Sequence, residues 1–301
     1  MVTSAPASNL YGCVSSTDRT LRNVYTNEAN YLAFLKAHGG KCPDGFPITI
    51  KSATDPVVPP VDPGKARFTL STLDHAQTPN MGELTAGSND GGAVVRQEVW
   101  NPDTALRKQL TEVWSPSHWR TTINAADGNT AVNSYPDVSS LVTTSEDTPV
   151  PFANYATINS SWSVDCHANP KTNAQATYDI WLNDYDIELM IWVDTHGANL
   201  GREPAGFDTG TVMTFDSVDY QLWREPDNSV LSLVRKVNAP VGSIDLRKVI
   251  LALIGGHYLP ATVGVNMFTF GFETPSTGGV DEVFEVNAYT LKTTAVTGKV
   301  I

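Results

Sequence analysis

The chain has 301 residues, of which 41% are hydrophobic, and its 32 acidic and 20 basic side chains give a formal net charge of −12. This length allows one large domain with a sizeable core and a smaller accessory piece. The negative charge argues against nucleic acid and anionic membranes as partners. No run of roughly 18 apolar residues occurs, so no transmembrane helix is predicted.

Residues 1–51 predict a small N-terminal accessory segment. The pattern predicts a helix over residues 17–40, which carries an apolar stripe at Tyr31, Leu32, Phe34 and Leu35. So short a segment has too little partner surface for a core of its own. We therefore expect an attachment or oligomerisation element, which serves self-association or attachment to a virion.

Residues 52–64 predict an extended linker, because prolines at positions 56, 59, 60 and 63 exclude a helix or a central strand there. From residue 65 to residue 301, short alternating runs are separated by Gly, Asn, Asp and Pro. This pattern is typical of a β-sandwich.

Two neighbouring segments place acidic and aromatic side chains on one sheet face. Side chains alternate between the two faces of a strand. In residues 178–181, Asp179 and Trp181 point away from Tyr178 and Ile180. In residues 186–193, one face is aliphatic, and the other carries Asp186, Glu188, Met190 and Trp192. For a lone glutamate the ordinary interpretation is a solvated face, but the indole and thioether beside Glu188 are unusual on such a face.

One helix is predicted within residues 65–301, from Ser243 to Ile254. Ser243 is the candidate N-cap. Val249, Ile250 and Leu253 form the stripe that would face the core.

Residues 266–275 repeat the design of the acidic strand. Phe268, Phe270 and Phe272 share one face, while Thr269, Gly271 and Glu273 share the other. Two carboxylates that face each other across a groove are what glycoside hydrolysis requires. One attacks or stabilises the sugar carbon, and the other donates a proton to the leaving oxygen.

Cysteine and histidine spacing predicts no metal site. The three cysteines, at 13, 42 and 166, do not form a disulfide framework, although Cys13 and Cys42 could pair. Cys166 is interpreted as a small buried hydrophobe. The six histidines show no spacing of i, i+4 and no neighbouring cysteine pair, so a zinc site is not expected.

Several motifs together resemble glycoside hydrolase family 12, the endo-β-1,4-glucanases and xyloglucanases. The sequence Tyr178–Trp181 followed by Glu188–Trp192 is similar to the strand pair that carries the family's nucleophile, and Gly271–Pro275 resembles the segment with its acid/base. Val99–Asn101 and Val132–Pro136 resemble two further family segments. The motifs occur in family order over residues 90 to 292. The segment from Asp103 to Trp119 is divergent.

The resemblance implies an all-β, concanavalin-like β-jelly-roll sandwich with one packed helix. It implies that Glu188 is the nucleophile and Glu273 the acid/base. It also implies that Asp179 either orients Glu188 and tunes its pKa or serves only as a structural acceptor. The implied substrate-binding residues are Trp100, Asn101, Tyr135, Trp181, Met190 and Trp192. For Trp100 the alternative is an ordinary core tryptophan.

The resemblance implies a retaining endo-β-1,4-glucan hydrolase that acts on a β-linked polysaccharide and needs no cofactor or metal. The alternative is a non-catalytic or weakly active carbohydrate-binding protein of a phage tail. No secretion signal is recognisable after Met1. The expected location is therefore extracellular, as a secreted mature protein, or in a phage virion.

Overall fold

The computed structural model describes residues 10–15, 21–25, 33, 34, 36, 37, 45–50, 64–82, 84, 92–100, 105–140, 148–166, 168–197, 203–299 and 301. The chain divides into two compact units, residues 1–64 and residues 65–301. No helix in these described ranges is long and apolar enough to cross a membrane. The predicted linker prolines lie outside the described residues.

The first unit contains a three-stranded antiparallel sheet. Its strands are β1 (Leu10–Ser15), β2 (Leu21–Tyr25) and β3 (Gly45–Ile50), in the order β2-β1-β3. The prediction of one helix over residues 17–40 is therefore wrong for Leu21–Tyr25, while residues 33, 34, 36 and 37 are helical. Val24 and Tyr25 have residue types that favour strands, and pairing with β1 overrides the local helical pattern.

The second unit is a sandwich of two sheets. The strands of the six-stranded sheet are β4 (Phe68–Leu70), β6 (Leu106–Ser115), β7 (His118–Ala125), β10 (Tyr155–Cys166), β16 (Val241–Asp245) and β18 (Glu282–Ala295). Those of the nine-stranded sheet are β5 (Ala93–Arg96), β8 (Asp137–Ser140), β9 (Val150–Pro151), β11 (Thr172–Leu182), β12 (Ile187–His196), β13 (Phe207–Phe215), β14 (Val218–Arg224), β15 (Val230–Arg235) and β17 (Gly264–Thr277). The six-stranded sheet has the order β16-β10-β18-β7-β6-β4, and the nine-stranded sheet has the order β13-β14-β15-β12-β11-β17-β8-β5, with β9 paired to β17.

Aromatic rings join the inner faces of the two sheets. Phe270 stacks on Tyr289 with 4.9 Å between ring centroids, and Trp162 meets Tyr178 edge-on at 6.0 Å. Of the six residues predicted to face inward, Leu189, Ile191, Phe268, Phe270 and Phe272 are fully buried, while Ile187 is half-buried and packs against the core. The predicted all-β jelly-roll sandwich is confirmed. Among the described strands, pairing is antiparallel except between β12 and β15, which run parallel.

The helix α1 (Leu246–Gly255) begins later than predicted. Ser243 is not its cap but lies in β16, where it pairs with Ser161 of β10. Asp245 is the N-cap instead, since its side chain accepts a hydrogen bond from the Lys248 backbone N–H at 3.1 Å. The predicted stripe is confirmed, because Val249, Ile250 and Leu253 are fully buried. A 3₁₀ turn spans Phe152–Asn154.

Candidate active site

The two glutamates singled out by the sequence lie on the strands that flank β11. Trp181 of β11 pairs with Glu188 of β12, and Gln175 of β11 pairs with Glu273 of β17. The residues adjacent to these glutamates in sequence, Leu189 and Phe272, point into the core. Strand alternation therefore places both carboxyls on the outer face of the nine-stranded sheet.

Electrostatic coupling shows that the carboxyls on this face belong to one site. Burial, followed by the negative charge of Glu273, raises the pKa of Glu188 to about 7. Burial also raises the pKa of Asp179 well above its usual range, with further contributions from the charges of Glu188 and Glu273. Such raised pKa values arise when several carboxyl groups lie close together in a poorly hydrated site. The three predicted catalytic residues are thus brought together.

Asp179 is nine-tenths buried, and its two carboxylate oxygens differ in their hydrogen bonding. Trp181 donates its indole N–H to Asp179 Oδ2 at 3.1 Å. Oδ1 is buried and makes no hydrogen bond in the described part of the chain. Trp181 is half-buried, and its ring lies 6.0 Å from that of Tyr185. Trp181 therefore fixes the orientation of the Asp179 carboxylate, whether or not its ring also contacts a ligand.

Gln175 is a site residue that the sequence analysis missed. Its side-chain N–H donates to the Glu273 carboxylate, and Gln175 itself is fully buried. The carbonyl oxygen of the same amide has no hydrogen-bond partner among the described residues. Strand alternation could have identified Gln175 from the sequence, because Gln175 shares a face of β11 with Asp179 and Trp181.

The other predicted binding residues differ in exposure. Met190 and Trp192 of β12 are 6% and 2% exposed, so they form the floor of the site. Tyr135 is also buried, and its hydroxyl donates to the Thr177 carbonyl at 2.8 Å. Trp100 is 47% exposed, so it is a surface residue and not a core tryptophan. Asn101 lies outside the described residues.

A buried ion pair extends the site toward the edge of the sheet. Arg96 of β5 donates from Nε and from a terminal nitrogen to Asp137 of β8, at 2.9 to 3.2 Å. Burial raises the pKa of Asp137 to about 7, although Arg96 opposes this. The charge of Asp137 acts in turn on Asp179. Neither residue was predicted, because their contact depends on the pairing of β5 with β8.

Two further residues of this face come from β14 and β15. Ser232 pairs with Met190 on one side and with Trp223 on the other, so all three share the outer face. The Ser232 hydroxyl is buried without a hydrogen-bond partner among the described residues, and Trp223 is half-buried. The face therefore offers unsatisfied polar atoms beside aromatic rings. A ligand with many hydroxyl groups would satisfy those atoms.

Comparison with known proteins gives fold similarity at low sequence identity. No protein-family model matches the chain, and no curated protein matches it. The xyloglucanase domain of NopAA from Sinorhizobium fredii, solved with cellobiose, is 16% identical; the match covers 76% of this chain and 100% of that one, with a TM-score of 0.62. The endoglucanase cel12A from Rhodothermus marinus is 19% identical, with 75% and 100% covered and a TM-score of 0.58. The family 12 xyloglucanase from Bacillus licheniformis is 17% identical, with 75% and 100% covered and a TM-score of 0.58. Residues 65–301 thus form a β-jelly-roll of the kind found in family 12 glycoside hydrolases.

Proposed function

We propose that this protein is a retaining endo-β-1,4-glucan hydrolase with Glu188 and Glu273 as its two catalytic residues. The observation that carries the proposal is their placement. They flank β11 on the outer face of one sheet, and the charge of Glu273 raises the pKa of Glu188. Retaining glycosidases use such a pair of carboxyls.

Each glutamate has one role in the proposed reaction. Glu188, as a carboxylate, attacks the anomeric carbon, and the glycosidic C–O bond breaks while Glu273 gives its proton to the leaving oxygen. A glycosyl-enzyme ester at Glu188 results. Glu273, now a carboxylate, takes a proton from water, which attacks the same carbon and releases Glu188. The sugar product keeps its anomeric configuration, and no cofactor takes part.

Asp179 and Gln175 position this pair. Burial, together with the charges of Glu188 and Glu273, raises the pKa of Asp179 well above its usual range and so favours the protonated form of that carboxyl. Asp179 Oδ1, which is otherwise unpartnered in the described chain, is the atom that we assign to hydrogen-bond Glu188. The Gln175 amide fixes the orientation of Glu273. Correct orientation of reacting groups supplies much of an enzyme's rate.

The pH profile follows from the shared charge. Because the charge of each carboxyl raises the pKa of the other, the value of about 7 found at Glu188 is assigned to the pair, which holds one proton below that pH. The singly protonated pair is the reactive form, since one carboxyl must attack while the other donates. As pH rises through about 7 the remaining proton is lost, so kcat/KM should fall on the alkaline side.

The proposed substrate is a β-linked glucan. Two tryptophans, Trp100 and Trp223, present exposed or half-exposed rings on the second unit, and sugar rings stack on such surfaces through their C–H faces. The similar structures include xyloglucanases and endoglucanases, one of them solved with cellobiose. These similarities support a glucan over other polysaccharides.

The test measures reducing-sugar release by the full chain from soluble β-glucan and from xyloglucan. Glu188→Gln removes the nucleophile but keeps its shape, so turnover should fall by several orders of magnitude. Oligosaccharide affinity should change by less than about tenfold, because stacking contributes to ground-state binding. The matched control is Glu285→Gln, which alters a half-buried glutamate paired with His118 on the other sheet. It should leave turnover unchanged.

Two outcomes would overturn the proposal. Full activity in Glu188→Gln would remove Glu188 from the mechanism. Binding of glucan by the wild type without any release of reducing ends would identify the protein as a carbohydrate-binding module, which is the alternative from the sequence. Nuclear magnetic resonance of the first-formed product gives its anomeric configuration, and inversion would exclude the double displacement.

A further inference from the structure

A cysteine, an aspartate and a histidine from both sheets meet behind the candidate active site. Cys166 is the last residue of β10, while Asp194 and His196 belong to the last three residues of β12. The thiol sulfur, a carboxylate oxygen and an imidazole nitrogen all lie within 4.8 Å of one another. His196 Nε2 is 3.0 Å from Asp194 Oδ2. These are three metal-binding side-chain types in one place.

A β-bulge in the pairing of β11 with β12 accounts for this convergence. The register shifts between Ala176 and Thr177, so that Asp194 pairs with Ala176 and His196 with Ala174. Both alanines are fully buried in the core. Asp194 and His196 therefore point inward, toward the sheet that carries Cys166. The small alanine side chains leave room for the larger ones.

The surroundings are negatively charged and incompletely hydrated. Asp194 is 5% exposed and Cys166 is half-buried. The charges of Asp165 and Glu282 act on both Cys166 and His196. A buried cluster with excess negative charge is stabilised by a divalent cation.

We propose that Cys166, Asp194 and His196 bind a divalent transition-metal ion, and the donor set identifies zinc as the best fit. Zinc takes thiolate, imidazole and carboxylate ligands in a tetrahedral arrangement, and the mixture of one sulfur, one nitrogen and one oxygen excludes magnesium and calcium. Three protein ligands leave a fourth position for water. This site lies on the inner face of the sheet, away from Glu188, so it is distinct from the proposed catalytic pair.

The ion would join the two sheets at one end of the sandwich. Cys166 belongs to the six-stranded sheet, and the other two ligands belong to the nine-stranded sheet. Binding only to the folded arrangement stabilises the folded state by mass action. Sequence spacing predicts no such site, because the ligands come from two strands that are not neighbours in either sheet.

The experiment uses the full chain, freed of metal with a chelator and kept reduced. Zinc titration by calorimetry should give one tight site, and the thermal unfolding temperature should rise with zinc concentration. Cobalt(II) should produce a thiolate-to-cobalt charge-transfer band together with the visible bands of a tetrahedral site. Cys166→Ser and His196→Gln should each weaken zinc binding by at least about tenfold, since each removes a ligand.

Two controls separate this site from other thiols and imidazoles. His118→Gln is the matched variant, because His118 also pairs with a carboxylate, Glu285 at 3.1 Å, but is not in the cysteine cluster. It should bind zinc as the wild type does. The double variant Cys13→Ser/Cys42→Ser should keep the charge-transfer band. Unchanged affinity in both Cys166→Ser and His196→Gln, or loss of the band only in Cys13→Ser/Cys42→Ser, would overturn the proposal.

Discussion

The surroundings of Glu188 disfavour its charged form, so Glu188 should make the free energy of unfolding depend on pH. Burial and the charge of Glu273 raise the pKa of Glu188 to about 7 in the folded protein, whereas an unfolded glutamate titrates near ~4.3. Between these two pH values the folded state holds more protons than the unfolded state. The unfolding free energy of the wild type therefore falls as pH rises through this window.

Glu188→Gln should remove the contribution of Glu188 to that pH dependence, because glutamine does not titrate. We expect the variant to be more stable than the wild type at pH 8 by ~1–3 kcal/mol, with the difference shrinking toward pH 4. Denaturant unfolding at a series of pH values measures it. A constant difference across the series would mean that Glu188 is not strained by its surroundings. Glu285→Gln is again the control.

The ion pair of Arg96 and Asp137 should also make stability depend on pH. Burial raises the pKa of Asp137 to about 7 even though Arg96 lowers it. Arg96→Met leaves Asp137 buried without its partner, which should destabilise the fold by ~3–5 kcal/mol when the aspartate is charged. Because the pKa of Asp137 then rises further, the loss should be larger at pH 8 than at pH 5.

Chemical denaturation of Arg96→Met and of the wild type at these two pH values gives the loss of unfolding free energy at each. The double variant Arg96→Met/Asp137→Leu removes both charges and should recover most of the lost stability. If Arg96→Met alone proves as stable as the wild type at pH 8, the ion pair does not hold the edge of this sheet.

At the scale of strands, the contact between β17 and β8 depends on a glycine. Gly271 pairs with Asp137, and a Cβ at this position would lie 2.1 Å from the Pro136 carbonyl oxygen and 2.7 Å from Asp137 Cα. Both are backbone atoms, so no side chain can move aside. Gly271→Ala should destabilise the fold by about 1–3 kcal/mol and displace Asp137.

Thermal or denaturant unfolding of Gly271→Ala tests this expectation. Gly255→Ala is the control, because a Cβ there has nothing within 4 Å and the residue is helical. That change should be neutral or stabilising by up to about 1 kcal/mol. Equal stability of the two variants would show that β17 and β8 can separate without cost.

Strand alternation explains how much of the site could be predicted. Because every second side chain shares a face, the sequence alone placed Asp179, Glu188 and Glu273 away from the core, as found. It could not reveal Gln175, Asp137 or Arg96, whose contacts depend on which strands pair and in what register. The start of α1 was missed for the same reason. Pairing of β16 with β10 continues to Asp245 and takes Ser243 into a strand.

At the scale of the whole molecule, the chain divides into two compact units, residues 1–64 and 65–301, and both sheets of the sandwich belong to the second unit. Deletion of residues 1–64 should therefore leave a folded second unit. Its thermal unfolding and its glucan hydrolysis should match those of the full chain.

Sedimentation of the two proteins completes the test. The N-terminal segment is predicted to serve attachment or self-association, so the shortened protein should lose any oligomer that the full chain forms. If the deletion instead abolishes folding, the first unit contributes to the sandwich. If both proteins have the same mass in solution, self-association does not depend on residues 1–64.

Core and site residues alternate one by one in the parts of β11, β12 and β17 that carry the candidate site, and this arrangement restricts how the gene can change. Insertion or deletion of a single codon within these parts would move carboxylates into the interior and large hydrophobic groups onto the outer face. Single substitutions keep the alternation, and length changes in the turns leave it intact. Lineages that share this sandwich should therefore diverge by replacement within these strands and by insertion only between them. An identity of 16 to 19% is compatible with a shared fold under that restriction.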